Sequence, residues 1–515
     1  MTNTPTRTES VAVVSGSGAF THRQIITALS GLLLAIALGS LDQTIVATAM
    51  RTIADRLHGE TVQAWATTGY LISSTLAMPI YGKLSDIYGR KPLYLASIVI
   101  FVIGSLACGL AHSMVDLAAF RILQGLGGAG LMSLPTAIIA DLAPVRERAR
   151  YFSYLMIVSV GAGVVGPLAG GAFASADTLL GVTGWRWVFL VNVPLGVLAL
   201  TTVRRALNLP HEKLDHRIDY WGSAALALGL VPLLIVVEQG RSWGWASTNA
   251  ITMYAVGAVG LVLFFFVERA RDVEAMLPLG IFRRGGITVC ILIVFTVGFG
   301  MFGFSTVVPL YLQLVQNKPP TLAGLPLLPM LAGLIIAQRA AGKVIRDSGR
   351  FKLLAVIGLG LMSASLLGLV GTGVTTSLWV IAALGLVMGL GIGLSITVLT
   401  LAMQSAAPKR ELGVANAAAG LFRQLGGTTG VAVLLSLVFS VTLGRLEHLG
   451  TGLDTDLNDT SFLQHLDPRL ARPVVDAFAW SFHLTFLVAG LVLAIGFVLT
   501  WFLTELSTEK DPTST

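Results

Sequence analysis

Long apolar stretches recur along the whole chain and are separated by short polar segments. Crossing the roughly 30 Å hydrocarbon core takes about 20 apolar residues, whereas a strand buried in a soluble sheet takes only about 4–8. Each span is expected to be a helix, because unpaired backbone groups are too costly in lipid. The pattern predicts fourteen membrane-spanning helices at 24–50, 61–81, 93–112, 114–140, 150–173, 187–203, 220–238, 250–268, 287–313, 321–341, 352–371, 377–403, 411–443 and 477–503.

The composition is that of an integral membrane protein. Of the 515 residues 54% are hydrophobic and only 12% are charged, whereas a soluble chain carries about 25% charged residues. The net charge of +7 predicts no nucleic-acid partner, because the basic residues fall in short loops and form no continuous basic face. Cys108 and Cys290 both lie within apolar runs, so neither a disulfide framework nor a metal site is expected.

The loops on the two sides of the predicted helices differ in basic charge. With the N-terminus placed in the cytoplasm, 24 of the 34 Lys and Arg residues lie on the cytoplasmic side and eight on the outer side. Cytoplasmic loops are enriched in Lys and Arg. The sequence therefore predicts a multi-pass protein of the cell membrane, inner or plasma, with both termini cytoplasmic. The polar segments 1–23, expected to be disordered, and 504–515 are predicted to be cytoplasmic tails.

The chain contains a degenerate internal repeat. Residues 82–92 recur as 342–352, and residues 144–147 recur as 408–411. Parallel repeats of this kind are typical of transporters, with the substrate site at mid-depth between the two halves. The predicted domains are an N-terminal six-helix bundle at 24–205, two extra helices with flanking loops at 206–286, and a C-terminal six-helix bundle at 287–503 that includes an outer loop at 444–476.

Five short motifs occur in order at matching positions of this topology. They are Leu41-Asp-Gln-Thr-Ile-Val46, Gly82-x-x-x-Asp86-x-x-Gly89-Arg90-Lys91, Arg121-Ile-Leu-Gln-Gly-Leu-Gly-Gly-Ala-Gly130, Gly166-Pro-Leu-Ala-Gly-Gly171 and Gly184-Trp-Arg-Trp-Val-Phe-Leu-Val-Asn-Val-Pro194. With them the chain resembles the major facilitator superfamily, and more narrowly its fourteen-span drug–proton antiporter family. The resemblance implies an all-α membrane fold of two six-helix bundles plus two extra helices.

The resemblance also implies a function. It points to a proton-coupled antiporter for multidrug efflux, which exports cationic or zwitterionic amphipathic small molecules by alternating access. It implies a monomer in membrane lipid, with protons as the coupling ion and no cofactor. A second interpretation keeps the mechanism but makes the exported compound an endogenous metabolite, lipid or siderophore. A symporting importer is disfavoured by the motif at 166–171. A membrane enzyme or sensor is disfavoured because no catalytic constellation or soluble output domain is visible. ATP is disfavoured as the direct energy source because no GxxxxGK[ST] motif occurs.

Two oppositely charged residues fall inside predicted spans. At roughly 1.5 Å per residue, Asp42 lies about 12 Å from the outer end of its helix and Arg121 about 10 Å from the outer end of its own. An ionisable residue inside a membrane is a functional hypothesis by default. We interpret Asp42 as the proton carrier and Arg121 as the group that tunes it. The alternative is a static ion pair that orients the helices.

A second set of residues is predicted to form a conformational switch. Asp86 is expected to meet the positive N-terminal end of a helix from the second half when the cytoplasmic side closes. The alternative for the neighbouring basic residues is ordinary topogenic charge, and for the proline–glycine motif a static packing kink. The predicted switch residues are Gly82, Asp86, Gly89, Arg90, Asp141, Arg148, Gly166, Pro167, Gly170 and Gly171.

Aromatic, amide and basic residues within spans are candidates for the substrate site. Packing or an interfacial aromatic belt is the alternative for each of them. The candidates are Trp65, Tyr70, Gln124, Phe299, Phe302, Tyr311, Gln313 and Arg423.

Overall fold

The computed structural model describes residues 22–59, 62–143, 145–207, 219–271, 280, 285–348, 351–408, 411–448 and 468–503. Within these ranges fourteen long helices follow one another. They are α1 (His22–Arg56), α2 (Gln63–Tyr88), α3 (Arg90–Gly109), α4 (Met114–Leu142), α5 (Val145–Ser175), α6 (Asn192–Ala206), α7 (Tyr220–Trp243), α8 (Thr248–Arg271), α9 (Gly285–Leu314), α10 (Leu327–Ser348), α11 (Phe351–Leu369), α12 (Leu378–Ala406), α13 (Leu412–His448) and α14 (Pro468–Leu499). A hairpin of β1 (Thr178–Leu179) and β2 (Val182–Thr183), then a short turn of helix (Trp187–Leu190), precede α6.

Twelve helices of the described ranges are long and apolar enough to cross a membrane. The helices α2 and α7 are less apolar. α7 contains a shorter apolar stretch, Trp221–Val237, and α2 carries Ser and Thr residues along its middle turns. These hydroxyls donate to main-chain carbonyls one turn earlier, as Thr75 does to Leu71 over 2.7 Å. Such bonds keep a polar helix viable inside a bundle, because they satisfy hydroxyl groups that water cannot reach.

The two halves of the chain pack in the same order. In the first half α1 lies against α5, α2 against α4, and α3 against both α4 and α6. In the second half α9 lies against α13, α10 against α12, and α11 against both α12 and α14. Each contact of the first half thus has a counterpart eight helices later. This is the relation that the internal repeat predicts, and it gives two six-helix bundles with α7 and α8 between them in the sequence.

The two extra helices form a close pair. A Cβ atom on Gly260 of α8 would collide with the backbone of Gly229 on α7. Small residues of this kind allow helix backbones to approach closely in lipid. The helix α7 also lies against α2 of the first half and α13 of the second. The pair therefore covers one side of the seam between the two bundles.

Several helices are longer than hydropathy predicts. α1 continues to Arg56, α2 to Tyr88 and α13 to His448, and α14 begins at Pro468. The predicted outer loop at 444–476 is therefore shortened at both ends, and its central part, 449–467, lies outside the described residues. Hydropathy marks only the apolar core, whereas a helix continues into the headgroup region, where polar side chains reach water.

Candidate functional site

The central cluster is a group of five buried polar side chains in the first half: Asp42, Ser105, Arg121, Gln124 and Asn192. Nη1 of Arg121 donates to Oδ2 of Asp42 over 2.7 Å. Nε2 of Gln124 and Nδ2 of Asn192 each donate to Oδ1 of Asp42 over 2.8 Å. Donors from α4 and α6 thereby converge on one carboxylate of α1, which has no exposed surface.

The partners of Asp42 are themselves held in place. The hydroxyl of Ser105 accepts from Gln124 over 2.9 Å and from Asn192 over 2.8 Å, and it donates to the carbonyl of Phe189 over 3.1 Å. Nη1 of Arg121 also donates to Oε1 of Gln124 over 2.8 Å. These second contacts fix the orientation of both amides, so the donors that reach Asp42 are preorganised.

Arg121 has two further contacts that fix its guanidinium. Its Nε donates to the carbonyl of Ala66 over 3.2 Å. Its Cζ atom lies 4.1 Å from the ring centre of Tyr70, a cation–π contact. The predicted substrate residues Tyr70 and Gln124 therefore belong to the surroundings of the Asp42–Arg121 pair. Trp65, close to Ala66 near the start of α2, is partly exposed.

The central cluster surrounds the carboxylate of Asp42 with hydrogen-bond donors. Its oxygens accept three hydrogen bonds, one of them from a guanidinium, and charge-assisted bonds are about twice as strong as neutral ones. These bonds join α1 to α4 and α6 through one carboxylate.

The terminal cluster consists of Asp86, Arg90, Asp141 and Arg148, at the end of the bundle where α2 turns into α3. The backbone φ of Gly89 is +94°, a value that favours glycine and allows the abrupt turn. Arg90 pairs with Asp86 over 2.5 Å and with Asp141 over 2.9 Å. This places the carboxylates of α2 and α4 on the two sides of one guanidinium.

Arg148 completes the terminal cluster through the end of α4. Its guanidinium donates to the carbonyls of Ala140 over 2.6 Å and Ala143 over 2.9 Å. Burial lowers the pKa of the Arg148 guanidinium, and the nearby carboxylate of Asp141 raises it. The guanidinium of Arg148 satisfies carbonyls that no longer have a partner within the helix.

Hydrogen bonds across the seam join the terminal cluster to the second half. The carboxylate of Asp86 accepts from the backbone N–H groups of Gly413 and Val414, each over 3.2 Å, at the N-terminal end of α13. Arg148 donates to Oε1 of Gln404 on α12 over 3.1 Å. The helix-end contact that the sequence predicts for Asp86 is thus present, and this end of the bundle is closed. Its role as a switch stays a prediction.

Glycines bring α2 and α13 close together beside this contact. A Cβ atom on Gly82 would collide with the carbonyl of Gly413 and with Ala417. A Cβ atom on Gly413 would collide with the side chains of Asp86 and Arg90. Both positions must remain glycine if the two helices are to meet as they do here.

The proline–glycine motif of α5 divides into two faces. Gly166 and Gly170 pack on α1, where an added Cβ would collide with the hydroxyls of Thr44 and Thr48. Pro167 is exposed, and a Cβ on Gly171 would meet nothing within 4 Å. The helix continues through Pro167. Two residues of the motif therefore serve close packing between α1 and α5, whereas the other two face away from it.

A small cavity of about 50 Å³ lies between the two halves. α2 and α4 contribute its wall on one side, and α9, α12 and α13 contribute the other. Arg423 lines it, as do Thr136 and Asn416. The amide of Asn416 accepts from Gln404 over 2.9 Å, so the polar contacts of the closed end form one boundary of this cavity.

The other predicted substrate residues are scattered. Phe302 lines a second cavity of about 300 Å³ that α7 and Trp245 help to enclose. Phe299 is buried. Tyr311 packs edge-on against Phe482 and Phe486 of α14 and donates to the carbonyl of Gly373 over 3.1 Å, so it is a core residue. Within the described part of the chain, Gln313 donates only to Pro309, one turn earlier on α9. Neither Tyr311 nor Gln313 lines one of the two cavities.

Asn192 and Ser105 are functional candidates that the sequence-based prediction omits, whereas Gln404 is one of its weaker candidates for the cavity lining. Asn192 carried a signal, since it is an amide inside the motif at 184–194. Ser105 carried none, because single hydroxyl residues are common in spans and most of them bond within their own helix.

Comparisons with known proteins agree on one family. The sequence profile of the Major Facilitator Superfamily matches residues 32–431. A tetracycline resistance determinant of Streptomyces rimosus is 49% identical over 325 residues, which is 57% of this chain and 94% of that protein. The multidrug transporter protein MdtP of Bacillus subtilis (strain 168) is 32% identical over 507 residues, 92% of each chain. The solved structure of the proton:xylose symporter XylE aligns with a TM-score of 0.61 at 14% identity, covering 94% of this chain and 97% of XylE.

Proposed function

This chain belongs to the major facilitator superfamily, and from that membership and its polar clusters we propose that it is a proton-coupled antiporter exporting amphipathic drugs. It is a multi-pass transporter of the plasma membrane, not an enzyme. The names of its relatives, a tetracycline resistance determinant and a multidrug transporter, support drug efflux. Proton coupling and the direction of exchange are the parts that rest on the chemistry of the site.

The observation that carries the proposal is the buried ion pair of Asp42 and Arg121. An acid at mid-depth of a span is expensive and typical of proton relays. Its three donors come from helices that face it across the first bundle. When access alternates, a shift of α1 against α4 and α6 would free the carboxylate to take up a proton. Return of the donors would expel the proton on the other side.

The terminal cluster supports the alternating-access part of the proposal. The excess of Lys and Arg assigns its end of the bundle to the cytoplasm. Asp86 and Arg148 hold the two halves together there through Gly413, Val414 and Gln404. With this orientation, the closed end of the bundle is the cytoplasmic one. Opening inward must break these bonds, and the energy of substrate and proton binding has to compensate for their loss.

The test is to replace the carboxylate and measure coupling. In everted vesicles, Asp42→Asn is expected to abolish efflux of an amphipathic dye driven by a pH gradient, because asparagine keeps the shape but cannot carry a proton. Asp55→Asn is the matched control: Asp55 lies on the same helix, is exposed, and should keep the wild-type rate. Undiminished pH-driven efflux by Asp42→Asn, at equal protein in the membrane, would exclude Asp42 as the proton carrier.

A further inference from the structure

Arg423 is a second intramembrane arginine with surroundings unlike those of Arg121. It lies on α13 and lines the cavity of about 50 Å³ between the two halves. Among the described residues, no carboxylate forms an ion pair with it. Counting from Gly413 at about 1.5 Å per residue, Arg423 lies about 15 Å along α13 from the contact with Asp86. It therefore lies near mid-depth of the membrane.

A buried charge without a partner is unfavourable, since the energy of removing it from water is not recovered. Arginines inside membranes normally pair with an acid or with backbone carbonyls. Arg121 follows this rule through Asp42 and Ala66. Among the described residues Arg423 makes no such contact, and its side chain is only half-buried beside the cavity. Its guanidinium is therefore open to a counter-charge on a molecule that enters the cavity.

The lining of the cavity defines the chemistry of that molecule. No Asp or Glu is among the lining residues. The hydroxyls of Ser133, Thr136 and Thr400 add uncharged polar groups, and Met78 and Met132 add apolar surface. Asp42 has no exposed surface and is surrounded by its own donors. The charged group that this cavity offers to a ligand is therefore the guanidinium of Arg423.

We propose that Arg423 binds an ionised oxygen group of the transported molecule, a carboxylate or an enolate, so that the substrates are zwitterionic or anionic amphipaths. The planar guanidinium fits such a group with two parallel hydrogen bonds. A volume of about 50 Å³ holds one such group, whereas a whole drug-sized molecule needs about 300 Å³ or more. The rest of the substrate occupies the space that opens when the halves separate. This inference rests on the proposed export function and names its substrate class.

The test compares two dyes that differ in one group. Rhodamine B carries a free carboxylate on a cationic scaffold, and its methyl ester keeps the scaffold without that carboxylate. Binding of each dye to the purified full-length protein is measured by fluorescence polarisation. The wild type is expected to bind the acid at least about tenfold more tightly than the ester, as expected for a hydrogen bond between charged groups.

Three variants test whether Arg423 causes the preference for the acid over the ester. Arg423→Gln should bind both dyes alike, because it removes the charge and leaves a shorter, uncharged polar side chain. Arg423→Lys should retain part of the preference, since it keeps the charge but loses the planar fork. Arg445→Gln is the control. Arg445 lies on the same helix, is exposed and stacks on Trp480 at 4.4 Å, so the variant should behave like the wild type.

Three results would overturn the inference: equal binding of the two dyes by the wild type, tighter binding of the ester, or binding of neither dye. A preference that survives in Arg423→Gln would overturn it as well. None of these results bears on proton coupling, which the Asp42→Asn experiment tests in vesicles. Failure of the substrate class and failure of the proposed function are therefore distinguishable.

Discussion

At the scale of single residues, the two clusters use the same groups for different purposes. In the central cluster one carboxylate receives donors that belong to its own half. In the terminal cluster Asp86 receives one guanidinium from its own half and two backbone N–H groups from the other. Separation of the halves breaks the second set directly, whereas the first set changes only if α1 shifts against α4 and α6 within its own half. Asp86 is therefore the carboxylate whose hydrogen bonds report on closure.

Replacement of Asp86 tests this assignment. Asp86→Asn removes the charge that meets the N-terminal end of α13, and hydrogen bonds to a charged group contribute about 1.5–3 kcal/mol. The closed state should lose about that much stability, which shifts the equilibrium between the closed and open states by roughly ten- to hundredfold. We expect normal insertion but several-fold slower dye efflux. The control Glu147→Gln alters an exposed acid near the same end and should transport normally. If a normally inserted Asp86→Asn variant transports at the wild-type rate, the terminal cluster serves only to set the orientation of the protein in the membrane.

At the scale of helices, the closed end depends on how nearly α2 and α13 can approach. Gly82 and Gly413 face each other there, with no room for a Cβ atom on either. Close packing at glycines also joins α5 to α1, through Gly166 and Gly170. Glycine thus has two roles in this protein: it fixes contacts within a bundle and permits a contact between bundles that has to open and close.

Replacing one of these glycines by alanine should open the closed end of the bundle. Gly413→Ala places a methyl group against Asp86 and Arg90, so α13 must move away from α2. Distances between spin labels at Tyr88 and Lys343, both exposed near this end of the two halves, should shift toward longer values. Gly444→Ala on the same helix meets nothing within 4 Å and should leave the distances unchanged. Unaltered spin-label distances in Gly413→Ala would mean that the close approach of α2 and α13 does not keep this end closed.

The sequence predicted the helices and the pairing of Asp42 with Arg121, because hydropathy and helical rise depend only on local composition and residue spacing. It could not identify the partners across the seam. Whether Gln404 or Gly413 faces the first half depends on the rotation of α12 and α13, which their nearly uniform apolar composition does not encode. Tyr311 was interpreted as a cavity residue for the same reason. An aromatic side chain in a span can face a cavity or a neighbouring helix, and only packing decides.

At the scale of the whole molecule, orientation in the membrane is the prediction on which the direction of transport depends. The loop around Asn458 is predicted to be outside and Ser348, at the end of α10, to be inside. A cysteine placed at Asn458 should react with a membrane-impermeant maleimide in intact cells, whereas one placed at Ser348 should react only after the cells are opened. The reverse labelling pattern would invert the orientation, and the terminal cluster would then face outward.

The position of α7 has a consequence for the lipids around the protein. α7 touches α2 and α13 together, yet these two helices must part when the cytoplasmic end opens. If they separate as we propose, α7 can keep its contact with one of them, and acyl chains would replace the other contact. The seam on the far side, between α5 and α10, opens without such a helix to replace. The elastic properties of the bilayer, its thickness and lateral pressure, therefore enter the conformational equilibrium on one flank of the transporter more than on the other.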